Sequence, residues 1–208
     1  MRTLSRRAER LADAGARVGR FVKAGSPRRW TTGLALAVTV LAGLLGSCAT
    51  APATREDKTA LVAAATSRLQ QMRTVDPALE VLLQKGYGYA MFPNVDKGGL
   101  GVGGAYGRGV VYERGQPIGY SALTQGTVGA QAGGQSSSEL LVFETKAALD
   151  RFTAGQFGFT ADASAVVLTS GAATQANFVD GVAVVVQPLS GVMIEAAIGG
   201  QQFTYQAK

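Results

Sequence analysis

Residues 87–143 read YGYAMFPNVDKGGLGVGGAYGRGVVYERGQPIGYSALTQGTVGAQAGGQSSSELLVF, and this stretch decides the fold. Short runs of Val, Ile, Tyr, Phe and Leu are broken every few residues by glycine-containing turns, the pattern of β-structure. Strands are predicted at 87–92, 100–106, 110–113, 118–123, 127–132 and 140–143, with 136–138 (SSS) as a loop. Glycines inside these strands, among them Gly101, Gly103, Gly104, Gly129, Gly133 and Gly134, weaken a flat sheet but suit tight bends and close backbone approach.

The language continues toward the C-terminus, with strands predicted at 165–169, 182–187, 192–197 and 203–205. Asp180-Gly181 and Ser190-Gly191 are hairpin signals. Between the two groups, TKAALDRF at 145–152 reads as one helix capped by Thr145. On the N-terminal side, Thr54 and Asp57 make a Thr-x-x-acid cap, and Leu61, Ala65, Leu69 and Met72 follow at helical spacing. Asp76-Pro77 restarts a second helix, carrying Leu79, Leu82 and Leu83 to a stop at Gly86. Two helices followed by many short strands predict an α+β fold, with N-terminal helices packed on a curved or closed, mainly antiparallel β-sheet.

Upstream of the helices the chain changes character. Residues 31–45 (TTGLALAVTVLAGLL) carry no charge and follow Arg28 and Arg29, the layout of a secretory leader; fifteen residues are short for a membrane span of roughly 20. Leu45-Gly46-Ser47-Cys48 then resembles a lipobox, so residues 1–47 are expected to be a lipoprotein signal peptide and Cys48 the lipidated residue. Residues 48–54 form a short tether, and the folded domain spans 55–208. Ala49, with no Asp in that place, resembles lipoproteins sorted to the outer membrane. Acyl chains on Cys48, at about 0.8 kcal/mol per buried methylene, would hold the protein on a bilayer essentially permanently.

The net charge of +6 belongs to the leader, where residues 1–47 hold nine Lys and Arg against Glu9 and Asp13. From Cys48 onward there are 11 basic and 12 acidic side chains, a net of −1, so nucleic acid is excluded as a partner. The 208 residues contain no His and one Cys, which removes the usual Ser/His and Cys/His nucleophile pairs and most zinc sites. No metal or cofactor is expected, and no enzyme activity. Gly99, Gly101 and Gly104 satisfy a dinucleotide-binding spacing, but the sequence after them reads as strand where that motif requires a helix. Glu113, Glu139, Glu144 and Glu195 show no spacing that singles out an acid–base pair and are expected on strand surfaces. Lys85, Lys97, Arg108 and Arg114 are interleaved with Tyr87, Tyr89, Tyr106 and Tyr112, a mixture suited to a phosphate head group at a membrane interface or to a solvated charged face.

Several segments, in order and at matching spacing, resemble the SYLF family of lipid-binding domains. They are Ala-Met-Phe-Pro at 90–93, Lys-Gly-Gly-Leu-Gly-Val-Gly-Gly at 97–104 and Tyr-Gly-Arg-Gly at 106–109, then Tyr120-Ser121 and Gly-Ala-Gln-Ala-Gly-Gly-Gln at 129–135. The resemblance runs from about Leu61 to the C-terminus, and bacterial members are often secreted lipoproteins. It implies phospholipid or phosphoinositide binding, with Lys97 and Arg108 at motif positions as head-group contacts and Arg114 and Lys85 beside them. The actin binding of some eukaryotic members is not carried over to a chain with an export leader. The expected partner is a phospholipid membrane; the alternative is an envelope protein, with the lipid serving only as anchor.

Overall fold

The computed structural model describes residues 51–155, 158–159 and 165–208; of residues 158, 159, 165, 192 and 194–199 it describes the backbone only. Residues 1–50, which include the stretch expected to be a signal peptide, Cys48 and Ala49, lie outside the described residues. The fold is α+β, with three α-helices and a mixed sheet of five strands among the described residues. Helices α1 (Arg55–Val75) and α2 (Leu79–Lys85) precede β1 (Gly88–Glu113) and β2 (Gln116–Phe143). Then follow α3 (Lys146–Thr153), the short β3 (Gly158–Phe159) and β4 (Ala165–Val167), a 3₁₀ turn (Ala172–Gln175), and β5 (Val182–Ala207).

The sheet has the order β1-β2-β5-β3, antiparallel throughout except that β4 joins β5 in parallel. The expected series of short strands is corrected to three long ones of 26, 28 and 26 residues. Their ladder runs on past a bulge at Pro93-Asn94 and through Gly107, Gly126 and the serines 136–138, so these residues bend the strands without ending them. Ser136–Ser138 is accordingly strand, not loop, and Ser138 Oγ donates to the Pro93 carbonyl at 2.8 Å. Ser190-Gly191 is likewise a kink inside β5 rather than a hairpin. Gly191 has φ 83°, and a Cβ there would collide with the Gly134 carbonyl. Asp180-Gly181, with φ 50° and 78° and a Val179–Val182 bridge around them, is the tight turn that its sequence predicts.

A straight strand of 26 residues would span about 85 Å. Instead β1 folds back on itself. A Cβ on Gly88 would lie 2.6 Å from the Tyr112 carbonyl oxygen, one on Gly109 2.8 Å from that of Met91, and one on Gly107 2.8 Å from that of Asn94. The rings of Tyr89 and Tyr112 stack at 4.6 Å, and Arg114 N donates to the Tyr87 carbonyl. The first and second halves of β1 therefore run side by side, with β2 and β5 folded along with them. The sheet is strongly curved but not closed.

Folding the sheet gives it an interior face and an outer face, and both are buried. Phe92, Val111, Leu123, Leu141, Phe143 and Phe203 fill the interior, plugged at one end by Leu149 and Phe152 of α3. On the outer face α1 lays Ala65, Leu69 and Met72 against Met91, Val110, Tyr112, Leu140 and Val142. Thr54 and Thr145 cap α1 and α3, accepting from Asp57 N at 3.0 Å and Ala148 N at 3.2 Å. Ala51, expected in a free tether, is 6% exposed and belongs to the outer-face core. The packed domain thus begins by residue 51, because a small apolar side chain beside α1 gains more from burial than from solvent.

Candidate functional site

The glycine-rich stretch forms the bend at which the sheet turns back. Between Leu100↔Ala132 and Val102↔Val128 the β1–β2 register shifts, so that Gly101 alone on β1 faces residues 129–131 on β2. Gly101 has φ 73°, which favours glycine. Such a bulge strips backbone carbonyls of their ladder donors, and the Gln131 side chain supplies one. Its Nε2 lies 3.2 Å from the Thr127 carbonyl and 3.4 Å from that of Gly101, while Thr127 Oγ1 donates to its Oε1 at 2.8 Å. Gln131 is 5% exposed and lies where a Cβ on Gly103 would otherwise be, 2.6 Å from Oε1. This is the physical content of the Gly-x-Gln-x-Gly segment: a side-chain amide that repairs a broken ladder. Gln131→Leu, which keeps the volume and loses the donor, is expected to cost about 1–3 kcal/mol in urea unfolding.

The same geometry accounts for the dinucleotide-like spacing, since Gly99, Gly101 and Gly104 lie within a strand. On the outside of the bend Leu100, Val102 and Val128 stand in solvent at 83%, 67% and 67% exposure. Isolated exposed aliphatics are ordinary, but Val102 and Val128 are register partners.

The four cations singled out in the sequence do not form one site. Lys97 shares the interior face with Val95, half-buried, and its charge acts on Glu139. Arg108 is on the outer face with Val110, where its Nε donates to the Tyr106 hydroxyl at 2.8 Å. Arg114 occupies the β1–β2 turn with its guanidinium 5.0 Å from the centre of the Tyr87 ring. Lys85 ends α2 and lines a depression of about 570 Å³ with Val81, Glu144, Ala173 and Phe178. The first half of β1 lies between Lys97 and the end where Lys85 and Arg114 sit.

A different set of cations does converge. Arg55 and Lys58 project from the first turn of α1 toward Tyr120, Pro117 and Lys208, around a depression of about 340 Å³ that also includes Thr59 and Val62. Positions 55, 58, 59 and 62 share one helical face, whereas Glu56 and Asp57 are rotated away from it. Among the described residues no Asp or Glu lines the depression, and Lys58 Nζ is 5.5 Å from the centre of the Tyr120 ring. Lys208 is brought in by a backbone hydrogen bond from its N to the Ile118 carbonyl at 3.0 Å. Sequence reading missed this group because its members lie more than 140 residues apart; only the three-residue spacing of Arg55 and Lys58 was visible.

Of the glutamates expected on the surface, Glu139 is the correction. It is 3% exposed on the interior face, because β2 alternates and residues 139, 141 and 143 all point inward. Glu113 accepts from the Tyr87 hydroxyl at 2.6 Å, and Glu144 is exposed. Among the described residues no group of three or more acids or thiols is placed to hold a metal ion, and no helix is long and apolar enough to cross a membrane.

What the fold and the surface define is an α+β domain with a bent mixed sheet, a basic depression at one end and exposed aliphatic residues at the other. The chain matches no protein-family model, and no curated protein matches it significantly.

Proposed function

We propose that this chain is a bacterial envelope lipoprotein, acylated at Cys48 and held on the outer membrane, whose folded domain binds anionic phospholipid without catalysing a reaction. The observation that carries this reading is the convergence of Arg55, Lys58 and Lys208 around a depression with no Asp or Glu among its described lining residues, Arg55 standing seven residues beyond the lipobox cysteine. Because Ala51 already packs on the core, only Ala49 and Thr50, a reach of roughly 10 Å of chain, separate it from Cys48. An acylated cysteine would therefore keep this basic depression near the head groups. Each Lys or Arg beside an anionic surface contributes about 1 kcal/mol, and the effect falls off within a Debye length. The segments that resemble SYLF domains point the same way, although the cations that support head-group contact best are Arg55, Lys58 and Lys208 rather than Lys97 and Arg108.

Residues 49–208 without the lipid are expected to co-sediment with vesicles containing anionic phospholipid and to be released by salt. The variant Arg55→Gln/Lys58→Gln/Lys208→Gln should bind ten- to a hundred-fold more weakly. Absence of binding to any anionic vesicle would refute head-group binding by the domain and leave Cys48 as its membrane contact. The exposed Leu100, Val102 and Val128 favour a second reading, in which the anchored domain offers its bend to an envelope protein. Crosslinked partners that persist in the triple variant and vanish in Val102→Asp/Val128→Asp would support it.

A further inference from the structure

Beyond its aromatic residues the interior of the folded sheet turns polar toward the bend, and the centre of that region is Glu139. From the other half of the sheet Gln201, 5% exposed, reaches across, and its Nε2 donates to Glu139 Oε2 at 3.2 Å. Two oxygens of this pair, Glu139 Oε1 and Gln201 Oε1, are buried without a hydrogen-bond partner among the described residues. Both are acceptors when the carboxyl is ionised. Exchanging the amide's oxygen and nitrogen does not help, since a carbonyl oxygen would then face a carboxylate oxygen. The pair is short of one hydrogen, which a carboxylic proton on Oε1 would supply.

We infer that Glu139 is held as the neutral acid in the folded protein, joined to Gln201 by two hydrogen bonds, and that its ionisation releases this tie between the two halves of the sheet. The geometry makes it a proton-operated latch: Glu139 lies on β2 opposite Phe92 and Val186, whereas Gln201 lies on the returning part of β5 opposite Gln125. Burial pushes the Glu139 carboxyl up to about 7, and the Gln201 hydrogen bond and the Lys97 charge offset only part of this. Lys97 from β1 is the one described charged group that acts on it. The flanking Ser137 and Leu141 of β2, Val186 and Gln201 of β5 and Phe152 of α3 carry no charge, and Asp96 is engaged by Asn94 and Ser136. The ionised state would thus leave a carboxylate whose described counter-charge is a half-buried ammonium.

An unfolded glutamate loses its proton near 4.5 and the folded one near 7, so between these values the folded state holds a proton that the unfolded state has lost. The unfolding constant therefore rises with pH across that window, on the order of 100-fold, and levels off above it. The experiment is denaturant unfolding of the full chain in nonionic detergent from pH 4.5 to 8, beside Glu139→Gln, with the Glu139 side-chain carboxyl followed by carbon NMR. The wild type should lose stability across the window, with its carboxyl resonance titrating near 7. Glu139→Gln forms an amide–amide pair with both hydrogen bonds intact and should show a profile flattened by that amount. A carboxylate resonance already present at pH 5.5, or an unchanged slope in Glu139→Gln, overturns the proposal. If that variant does not fold, the wild-type resonance decides alone.

Discussion

Asp76→Ala is expected to lower the stability of the domain by about 3–5 kcal/mol, the range for stripping a buried charge from its partners or leaving their donors unpaired. Asp76 is 1% exposed at the corner between α1 and α2. Its Oδ1 accepts from Ala78 N at 3.0 Å, starting the turn into α2, and its Oδ2 accepts from Ala173 N at 2.7 Å in the 3₁₀ turn 97 residues away. One side chain therefore holds the helical layer to the segment that leads into β5. Burial pushes its carboxyl up, but the N–H groups of Ala173, Ala78 and Gly171 outweigh this and hold it below 3.8. A depressed folded value means that this contribution is fully present above 3.8 and is lost as the pH falls through the folded value. Asp76→Asn keeps one acceptor and should cost about half as much. The check is the urea midpoint at constant slope: a shift equivalent to less than about 1 kcal/mol in Asp76→Ala would show that the corner does not depend on this carboxylate. Together with Glu139, it predicts a stability maximum near pH 4–5, since one group loses its contribution below that point and the other above it.

How much of this was legible depends on whether the signal was local. The α+β class, the helix after Thr145 and the Asp180-Gly181 turn rest on neighbours a few residues apart, and the structure has them. Strand ends were misread because a glycine or serine that bends a strand looks like one that ends it; only the partner's register tells them apart. In the long strands at 88–113, 116–143 and 182–207 each bend is matched across the ladder, a relation between residues far apart in the chain. Glu139 precedes Leu140, Leu141, Val142 and Phe143, a run buried on both faces, so the alternation that would mark an inward glutamate is hidden. Asp76-Pro77 was legible as the break between the two helices, but α2 starts at Leu79 with Ala78 as its N-cap and no side-chain cap, and the partner of Asp76 in the 3₁₀ turn, Ala173, was not visible. The basic depression has the same character: its helical half is a spacing in the sequence, and Lys208 joins it only when β5 pairs with β2.

Phe152→Ala should cost about 3–5 kcal/mol, and its effect bears on where the stability of the fold resides. Phe152 is 1% exposed on α3, with its ring 4.8 Å from that of Phe143 on β2 and 5.3 Å from that of Phe203 on β5; Phe203 in turn lies 5.7 Å from Phe92 on β1. Four rings thus run from the helical plug through all three long strands. Each tilted pair adds about 0.5–1.5 kcal/mol to what burial contributes, and a cavity among side chains locked by the folded sheet has little room to collapse. Phe152→Leu, which retains most of the apolar volume, should cost well under half as much. Val81→Ala, on the open side of α2 at 55% exposure, should change stability by no more than about 0.5 kcal/mol. If Phe152→Ala and Val81→Ala were equally mild, the interior would not hold the bent sheet together, and its curvature would have to rest on the glycine bend and the outer-face helices. Leu149, Val182 and Val184 are already buried in the same interior, so none is available to fill the space it leaves.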